Sequence, residues 1–339
     1  MIAAPSTLPP RRLRVALLGC GTVGREVARR LLAPSAALRR WAPHGIELVA
    51  VLVRDLARDR DVPREVLVGT PASALGRAPD VAVEVLGGRE DARRAVQSML
   101  EAGVPVASAN KTLIAHDGDR LHDAAVRGGT GLRYEAAVGA AVPVLAALAQ
   151  RRGDRIVSIR GVLNGTCNAV LTSIERDGCS LASAIEQARR AGLCEPDPRA
   201  DLSGADSMEK LCVLARAAGL PAPSPGDLPA GATTGIEGVA PEWVRSARRA
   251  GGAIRLVAEL SVDMAAGRVH LRVAPRRLSA GDPLAAATGP ENIVVIDSDP
   301  GGTLVLRGQG AGPGPTASAI LGDLAALVVP QRSGVAVAM

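Results

Sequence analysis

Six residues near the amino terminus constrain the fold of this chain more than any others. Residues 19–24 read Gly-Cys-Gly-Thr-Val-Gly, directly after the apolar run 13–18 and at the start of a stretch, 22–32, with helical apolar spacing. Glycines at a strand-to-helix turn let backbone amides approach a pyrophosphate at the positive end of the helix. Gly-rich turns are common in a chain with 38 glycines, but this placement favours dinucleotide binding. The residues expected to form the site are Gly19, Gly21, Thr22, Val23 and Gly24.

The remainder of the first half alternates between strand and helix patterns. Apolar runs at 46–53, 81–86 and 104–108 predict strands, and a helical pattern follows at 91–102. Strands that alternate with helices indicate an α/β fold with a doubly wound parallel sheet, in which ligands bind at the carboxyl ends of the strands.

The second half has a different pattern. A strand is predicted at 156–163, followed by helices at 167–177, 180–191 and 205–218, then four strand-like runs and a last helix at 316–329. We therefore expect a loose tail at 1–12, a dinucleotide-binding domain at 13–145 and an α+β substrate-binding and catalytic domain at 146–307. The four strand-like runs lie at 254–263, 268–274, 292–297 and 303–306.

Composition and charge exclude several classes of protein. The chain has 339 residues, is 47% hydrophobic and carries a formal charge of +6 that is dispersed among acids, so a nucleic-acid partner is not expected. No segment reaches the ~18 consecutive apolar residues of a membrane span. Five cysteines without a Cys-x-x-Cys pair favour reduced thiols in a cytoplasmic protein. With nucleic acid and membrane set aside, a small molecule is the expected binding partner.

Lysine is almost absent from the chain. Of the 40 basic residues counted as Lys and Arg, only Lys111 and Lys210 are lysine. Arginine stays protonated at working pH, whereas a desolvated lysine can give up its proton, so a remaining lysine is a candidate for proton transfer. Two ordinary surface lysines are the alternative, and the sequence around each lysine argues against it.

Both lysines lie in settings that suit a site. Lys111 follows a predicted strand of the nucleotide domain, at the edge where ligands bind. Asp206 and Lys210 are spaced i,i+4 on a predicted helix and so share a face, although a salt-bridged surface helix would show the same pair. Glu195 and Asp201 precede that helix on an acid-rich loop that can receive a substrate ammonium group.

Two further segments leave alternatives open. At the end of the second strand, Arg54 could hold the 2′-phosphate of NADP and Asp55 could serve NAD, or both could be ordinary loop residues; NADP is slightly favoured. Glu135, followed by small residues and Pro143, could expose carbonyls to a hard cation, but a simple strand-to-helix turn is at least as consistent with the sequence.

Taken together, these segments resemble the homoserine dehydrogenase family. The matching motifs occur in the family's order and cover residues 13 to about 330; they lie at 19–24, 84–88, 109–112, 134–138, 163–166, 195–198, 206 with 210, and 310–319. The resemblance implies reversible NAD(P)H-dependent reduction of L-aspartate 4-semialdehyde to L-homoserine, in threonine, methionine and isoleucine biosynthesis. It also implies a Rossmann domain completed by the carboxy-terminal segment 308–335, and a homodimer formed through the middle region.

The same resemblance implies roles for individual residues. Lys210 is expected to protonate the carbonyl oxygen, with Lys111 assisting near the nicotinamide, while Glu195 and Asp206 bind substrate and Asp201 supports them. Arg54, Lys111, Gly192 and Gly312 are expected to join the glycine turn in holding the cofactor. A sodium-like ion is expected on Glu135 and on the carbonyls of Val138, Ala140 and Val142.

Three segments depart from the family pattern. The family usually has Gly-Tyr before the Glu195 region, whereas this chain has Gly192, Leu193 and Cys194 there. Cys167 stands where Thr is usual, and Ala141 replaces a common Gly of the ion loop. We also expect no carboxy-terminal regulatory domain. A non-catalytic cofactor-binding paralogue acting as a sensor or scaffold, and a related dehydrogenase for a different small amino-aldehyde, therefore remain the alternatives.

Overall fold

The computed structural model describes residues 11–194, 197–263 and 265–328. The chain divides into two compact units: the first comprises the residues up to Ala136 together with those from Thr316 onward, and the second comprises Ala137–Pro315. The boundary thus follows Ala136, whereas the sequence placed it after residue 145.

The first unit alternates strands and helices along the chain. Its elements are β1 (Leu13–Leu18), α1 (Thr22–Leu32), α2 (Ala36–Trp41), β2 (Ile46–Leu52), β3 (Leu67–Val68), α3 (Pro71–Leu75), β4 (Val81–Glu84), α4 (Glu90–Glu101), β5 (Val106–Ser108), α5 (Lys111–Arg127) and β6 (Leu132–Arg133). Short 3-10 turns occur at Arg64–Val66 and Glu135–Ala137.

These strands form one parallel sheet in the order β3-β2-β1-β4-β5-β6, so the expected doubly wound Rossmann fold is confirmed. Leu17 of β1 lies opposite Val51 on one side and Val83 on the other, and all three side chains are buried. Strands covered on both faces read as continuous apolar runs, which is why β1 stood out in the sequence. The strand order reverses beside β1, so the turn after β1 lies where such folds bind ligands.

The second unit begins with a helix and then builds an antiparallel sheet. Its elements are α6 (Val144–Gln150), β7 (Arg155–Val162), α7 (Gly165–Asp177), α8 (Leu181–Arg190), α9 (Arg199–Leu202), α10 (Ala205–Ala217), α11 (Pro241–Arg249), β8 (Ala253–Asp263), β9 (Arg268–Leu278), β10 (Glu291–Asp299) and β11 (Gly302–Gln309). Short 3-10 turns occur at Pro225–Asp227 and Pro283–Ala286.

The order of the second sheet is β11-β10-β7-β8-β9, and every neighbouring pair is antiparallel. This sheet with its helices confirms the expected α+β character of the second unit. Strand β7 lies at the centre of the sheet and ends at Val162, so Leu163 and Asn164 link the middle of the sheet to the start of α7. Lys210 and Asp206, two of the candidate catalytic residues, contact that link.

The last described helix, α12 (Pro313–Val328), contributes to the core of the first unit. Its buried residues Ala317, Ile320 and Leu324 join a cluster that includes Val15 and Leu17 of β1. Among the residues that the structure describes, no helix is both long and apolar enough to cross a membrane.

A buried arginine connects β8, α7 and the segment before β10 in the second unit. Arg255 of β8 is 1% exposed, and its guanidinium lies 2.7 Å from Glu175 of α7. The same group donates to the carbonyls of Ala287 and Ala285, in the segment that precedes β10. Arg248 of α11 also contacts Glu175, at 3.0 Å, but its side chain is 59% exposed. One carboxylate therefore holds a buried and an exposed arginine.

We predict that Arg255→Met destabilises the protein by about 3–5 kcal/mol, because it leaves buried carbonyls without donors and removes one partner of a buried ion pair. Arg248→Met, which removes the exposed partner of the same carboxylate, is expected to cost less than about 1 kcal/mol. Denaturant unfolding of both variants measures the difference, and equal losses would contradict the structural role assigned to Arg255.

Candidate active site

The glycine turn of the first unit is shaped by two close backbone approaches. Gly19 has φ +107°, and a Cβ atom there would lie 2.6 Å from the carbonyl oxygen of Val85. A Cβ atom on Gly24 would lie 2.5 Å from the carbonyl oxygen of Gly19. Neither position admits a side chain without a shift of the backbone. The sequence expectation that these glycines serve a tight turn agrees with this geometry.

The amino terminus of α1 is open to a ligand. Gly21 is the N-cap residue and supplies no side-chain hydrogen bond to the first turn, and a Cβ atom at Gly21 would have no neighbour within 4 Å. Gly21 and Thr22 are exposed, and Val23 is partly exposed. N–H groups at the start of a helix favour anions, so the turn fits the pyrophosphate of a dinucleotide.

The loop after β2 carries several arginines. Arg54 is exposed, whereas one carboxylate oxygen of Asp55 accepts hydrogen bonds from the backbone N–H groups of Ala57 and Arg58. Arg60, which the sequence did not single out, is buried and donates to the carbonyls of Asp55 and Arg58, at 2.5 and 2.7 Å. Asp55 is thus engaged in its own turn, while Arg54 extends into solvent.

Cys20, inside the glycine turn, reports the charge around it. Burial raises the pKa of the Cys20 thiol, and the positive charges of Arg60 and Arg25 oppose that shift. Asp61, which contacts Arg25 at 3.8 Å, acts in the opposite direction to the two arginines, so Arg60 is the guanidinium near the turn whose charge best suits a phosphate ligand.

A buried carboxylate organises the sheet edge beside Lys111. Glu84, at the end of β4, is fully buried; it accepts from the Ser108 hydroxyl at 2.5 Å and from the Leu86 N–H at 2.8 Å. Burial raises the pKa of Glu84, and these hydrogen bonds work against the shift. Asn110 donates to Glu84 and to the carbonyl of Gly88, and its side-chain oxygen caps α5 by accepting from Leu113 N–H. Lys111 is the first residue of α5 and is half-buried.

Lys210 of α10 is held in a largely buried ion pair. Its Nζ lies 2.9 Å from Oδ2 of Asp206, and the two side chains are 12% and 9% exposed. The same ammonium donates to the carbonyl oxygen of Leu163 at 2.7 Å. An ammonium has three N–H donors, and two are used by these acceptors of the described chain, so a third can meet a substrate oxygen.

Asn164, which follows Leu163, connects this ion pair to Asp201. Its Nδ2 donates to Oδ2 of Asp206 at 2.9 Å and to Oδ1 of Asp201 at 2.7 Å. Its Oδ1 accepts the backbone N–H of Cys167 at 2.7 Å and so caps α7. The structure thus brings together Lys210, Asp206 and Asp201 as the sequence predicted. Asn164 was part of a matching motif, but no role was assigned to it.

Two of the departures from the family pattern, at Cys167 and at Leu193 with Cys194, lie close to this cluster in the chain or in space. The Cys167 thiol donates to the carbonyl of Asp201 at 3.1 Å, and burial, with smaller effects of Asp201 and Asp206, holds its pKa well above the usual value. The hydroxyl of Thr166 donates to the carbonyl of Leu193 at 2.9 Å, and Cys194 is buried. Glu195, the expected ligand of the substrate ammonium group, lies outside the described residues.

The remaining predicted residues lie on turns. Gly192 and Gly312 of the second unit have φ +71° and +114°, which glycine adopts readily. Ala140 has φ +46°, and the carbonyl of Val142 accepts the N–H of Val144 at 2.8 Å. Val138, Ala140 and Val142 are buried, and the N–H of Glu135, in the first unit, donates to Asp323 at 2.7 Å. Burial raises the pKa of Asp323 to about 7.

The described residues contain no group of three or more His, Cys, Asp or Glu side chains that could hold a metal ion. The expected ion site would use backbone carbonyls and stays a prediction. A doubly wound sheet with an open glycine turn, in a chain with a buried lysine–aspartate pair, is typical of nicotinamide-dependent oxidoreductases.

Comparison with known proteins identifies the group within that class. The family model described as homoserine dehydrogenase matches residues 143–325, and the model for the homoserine dehydrogenase NAD binding domain matches residues 19–135. The homoserine dehydrogenase of Mycobacterium tuberculosis (strain H37Rv) is 38% identical over 317 residues, which cover 91% of this chain and 71% of that protein. The chain belongs to the homoserine dehydrogenase family.

Solved structures support the same assignment. The crystal structure of a homoserine dehydrogenase from Thiobacillus denitrificans has a TM-score of 0.86 and 31% identity, covering 94% of this chain and 73% of the other. A hyperthermophilic archaeal homoserine dehydrogenase in complex with NADPH has a TM-score of 0.75 and 26% identity, with 93% and 97% covered. The similarity therefore extends over both units.

Two glycines of the turn are expected to respond differently to substitution. Gly19→Ala should destabilise the protein by about 1–3 kcal/mol or more, because it combines a positive φ with a backbone clash. Gly21→Ala should leave stability within about 0.5 kcal/mol and weaken cofactor binding, since its methyl group would meet only the approaching pyrophosphate. Thermal unfolding and titration with reduced nicotinamide separate the two effects; a stable Gly19→Ala protein would contradict the geometry of the turn.

Proposed function

We propose that this chain catalyses the reversible NAD(P)H-dependent reduction of L-aspartate 4-semialdehyde to L-homoserine. The observation that carries the proposal is the largely buried Lys210 ammonium, which uses two of its three N–H donors on the Asp206 carboxylate and the Leu163 carbonyl among the described residues. Membership of the homoserine dehydrogenase family supports it. The reaction needs a proton donor beside a carbonyl, and a lysine is suited to that role.

The reduced nicotinamide, when bound, supplies the hydride that reaches the aldehyde carbon. Lys210 then protonates the oxygen of the nascent alkoxide through its third N–H, and it accepts that proton back when homoserine is oxidised. Asp206 and the Leu163 carbonyl fix the position of Nζ, so the donor does not have to be ordered during the reaction. Lys111, at the start of α5, is proposed to assist near the nicotinamide.

The acids of the second unit are proposed to bind the amino group of the substrate. Asp206 and Asp201 are joined by the Asn164 amide, which keeps two carboxylates near the proton donor. Glu195 is proposed as a third ligand on the basis of its motif. Carboxylates attract the ammonium group of an amino-aldehyde, so the cluster favours amino-acid substrates over neutral aldehydes.

NADP is proposed as the preferred cofactor. The glycine turn suits the pyrophosphate, and Gly192 and Gly312 are proposed as further contacts. Arg54 is exposed after β2, while Asp55, the residue that would favour NAD, binds the backbone of its own loop. A guanidinium pairs well with a phosphate, so the loop supports recognition of the 2′-phosphate.

The finer expectations rest mainly on the family resemblance. We propose a homodimer in the cytoplasm that acts in threonine, methionine and isoleucine biosynthesis. A monovalent cation such as sodium is proposed on Glu135 and on the carbonyls of Val138, Ala140 and Val142. Carbonyl and carboxylate oxygens are the donors that hard cations prefer, and the tight turn at Ala140 is compatible with such a role.

Lys210→Ala is expected to lower kcat by a factor of ~10²–10⁴, because it removes the proton donor. Lys210→Arg should be similarly impaired, because arginine holds its proton at working pH. The assay follows the absorbance of reduced nicotinamide with homoserine and saturating NADP. Arg216→Ala, which removes a cation from the last turn of the same helix, should keep turnover close to that of the wild type.

Two outcomes of this assay would contradict the proposal. Equal turnover by wild type and Lys210→Ala would remove Lys210 from the mechanism. Folded wild-type protein without turnover on either NADP or NAD would favour a non-catalytic cofactor-binding role, or a different amino-aldehyde that fits the altered pocket at Leu193 and Cys194.

Arg54→Ala is expected to raise KM for NADP by about ten- to a hundredfold, the equivalent of one charged hydrogen bond, while KM for NAD changes little. Arg39→Ala changes the net charge equally at an exposed site on α2 and serves as the control. Parallel KM measurements with the two cofactors decide the question, and equal changes for NADP and NAD would contradict recognition of the 2′-phosphate by Arg54.

A further inference from the structure

The Asn164 amide makes a hydrogen bond on each of its sides. It is 4% exposed, and its nitrogen donates to Asp201 at 2.7 Å and to Asp206 at 2.9 Å. An amide nitrogen carries two hydrogens, so one goes to each carboxylate. One oxygen of each aspartate therefore lies within hydrogen-bond distance of Asn164 Nδ2, and the oxygen from Asp206 also contacts the ammonium of Lys210.

The direction of the amide is fixed by the helix that follows. Oδ1 of Asn164 accepts the N–H of Cys167 at 2.7 Å and so caps the amino terminus of α7. A capping N–H requires an acceptor, and this orients the Asn164 nitrogen toward the two acids. Because its oxygen caps α7, Asn164 presents its amide nitrogen to Asp201 and Asp206.

Two neighbouring carboxylates repel each other unless donors separate them. Lys210 supplies one positive charge to Asp206, and both Lys210 and Asn164 contact the same oxygen, Oδ2. That oxygen therefore receives two donors from different directions, which restricts the rotation of the Asp206 carboxylate. Lys210 is held in turn by the carbonyl of Leu163, the residue that precedes Asn164 in the chain.

We propose that Asn164 is a positioning residue: its amide holds the Asp201 and Asp206 carboxylates together and so fixes the ion pair that places Lys210. The inference rests on the proposed function of Lys210. Asn164 acts through the carboxylates, not on the reacting carbonyl itself.

The informative variant is Asn164→Asp. Aspartate has the same shape and still accepts the N–H of Cys167, so the cap of α7 is kept. The donor that faces the acids becomes an acceptor, however, and three carboxylates then share one site. The added negative charge makes the cluster hold a proton up to higher pH.

We expect Asn164→Asp to lower kcat/KM for homoserine oxidation by about ten- to a hundredfold, as for a donor displaced from its productive position. The acid limb of its pH–rate profile should move to higher pH by about 1–3 units. Ser180→Asp, which adds one carboxylate at the exposed N-cap of α8, is the control for the added charge and should keep the wild-type profile. A wild-type rate and profile in Asn164→Asp would overturn the proposal, as would a lower rate with an unmoved profile.

A second readout does not depend on activity. The Tm of Asn164→Asp relative to that of the wild type should fall as pH rises from about 4 to 7, because the folded variant favours a proton that the unfolded chain releases over this range. A Tm difference that is constant with pH would overturn the inference. If the wild type fails to oxidise homoserine, the proposed function fails, and this measurement still decides the role of Asn164.

Discussion

The candidate site of the second unit is organised around one ammonium group and the acceptors that hold it. Lys210 lies on a helix and Leu163 at the end of the central strand, and the hydrogen bond between them joins α10 to the middle of the antiparallel sheet. A largely buried ammonium needs a compensating carboxylate, and Asp206 on the same helix provides it. The next residue after Leu163 then connects the carboxylate to a second acid. Strand end, helix cap and ion pair are therefore one hydrogen-bonded system.

The candidate site could be predicted from the sequence only in part. Lys210 and Asp206 stood out because the chain has almost no lysine and because i,i+4 spacing is a local property of a helix. Asn164 is separated by 37 residues from Asp201 and by 42 from Asp206, and such contacts leave no periodicity in the sequence. Its one local signal was its N-cap position, which is common to many helices. Arg60 was missed for a similar reason, since its burial depends on how the loop after β2 folds back.

The fold, like the site, could be predicted from the sequence only in part. Strands β1, β2, β4 and β5 and helix α1 were predicted to within about two residues of their ends, because a strand buried on both faces and an amphipathic helix have distinct patterns. The two-residue strands β3 and β6 were not predicted, since so short a run has no recognisable pattern. The 17-residue helix α5 was not predicted. Its core face includes Gly118 and the buried Asp117, and Asp117 is tolerated there because Arg89, from the start of α4, contacts it at 2.6 Å. A polar residue on a core face disrupts the apolar spacing that identifies a helix, and only the folded chain supplies its partner.

Because aromatic residues are nearly absent, each of the two units can be observed by its own tryptophan. The chain has two tryptophans: Trp41 lies on α2 in the first unit, and Trp243 lies on α11 in the second. Each unit therefore contains one tryptophan, and the single tyrosine, Tyr134, lies in the first unit. When only indole is excited, a variant in which one tryptophan is replaced emits from the other unit alone. Unfolding of the first unit and of the second unit can thus be followed separately in the intact chain, without an attached label.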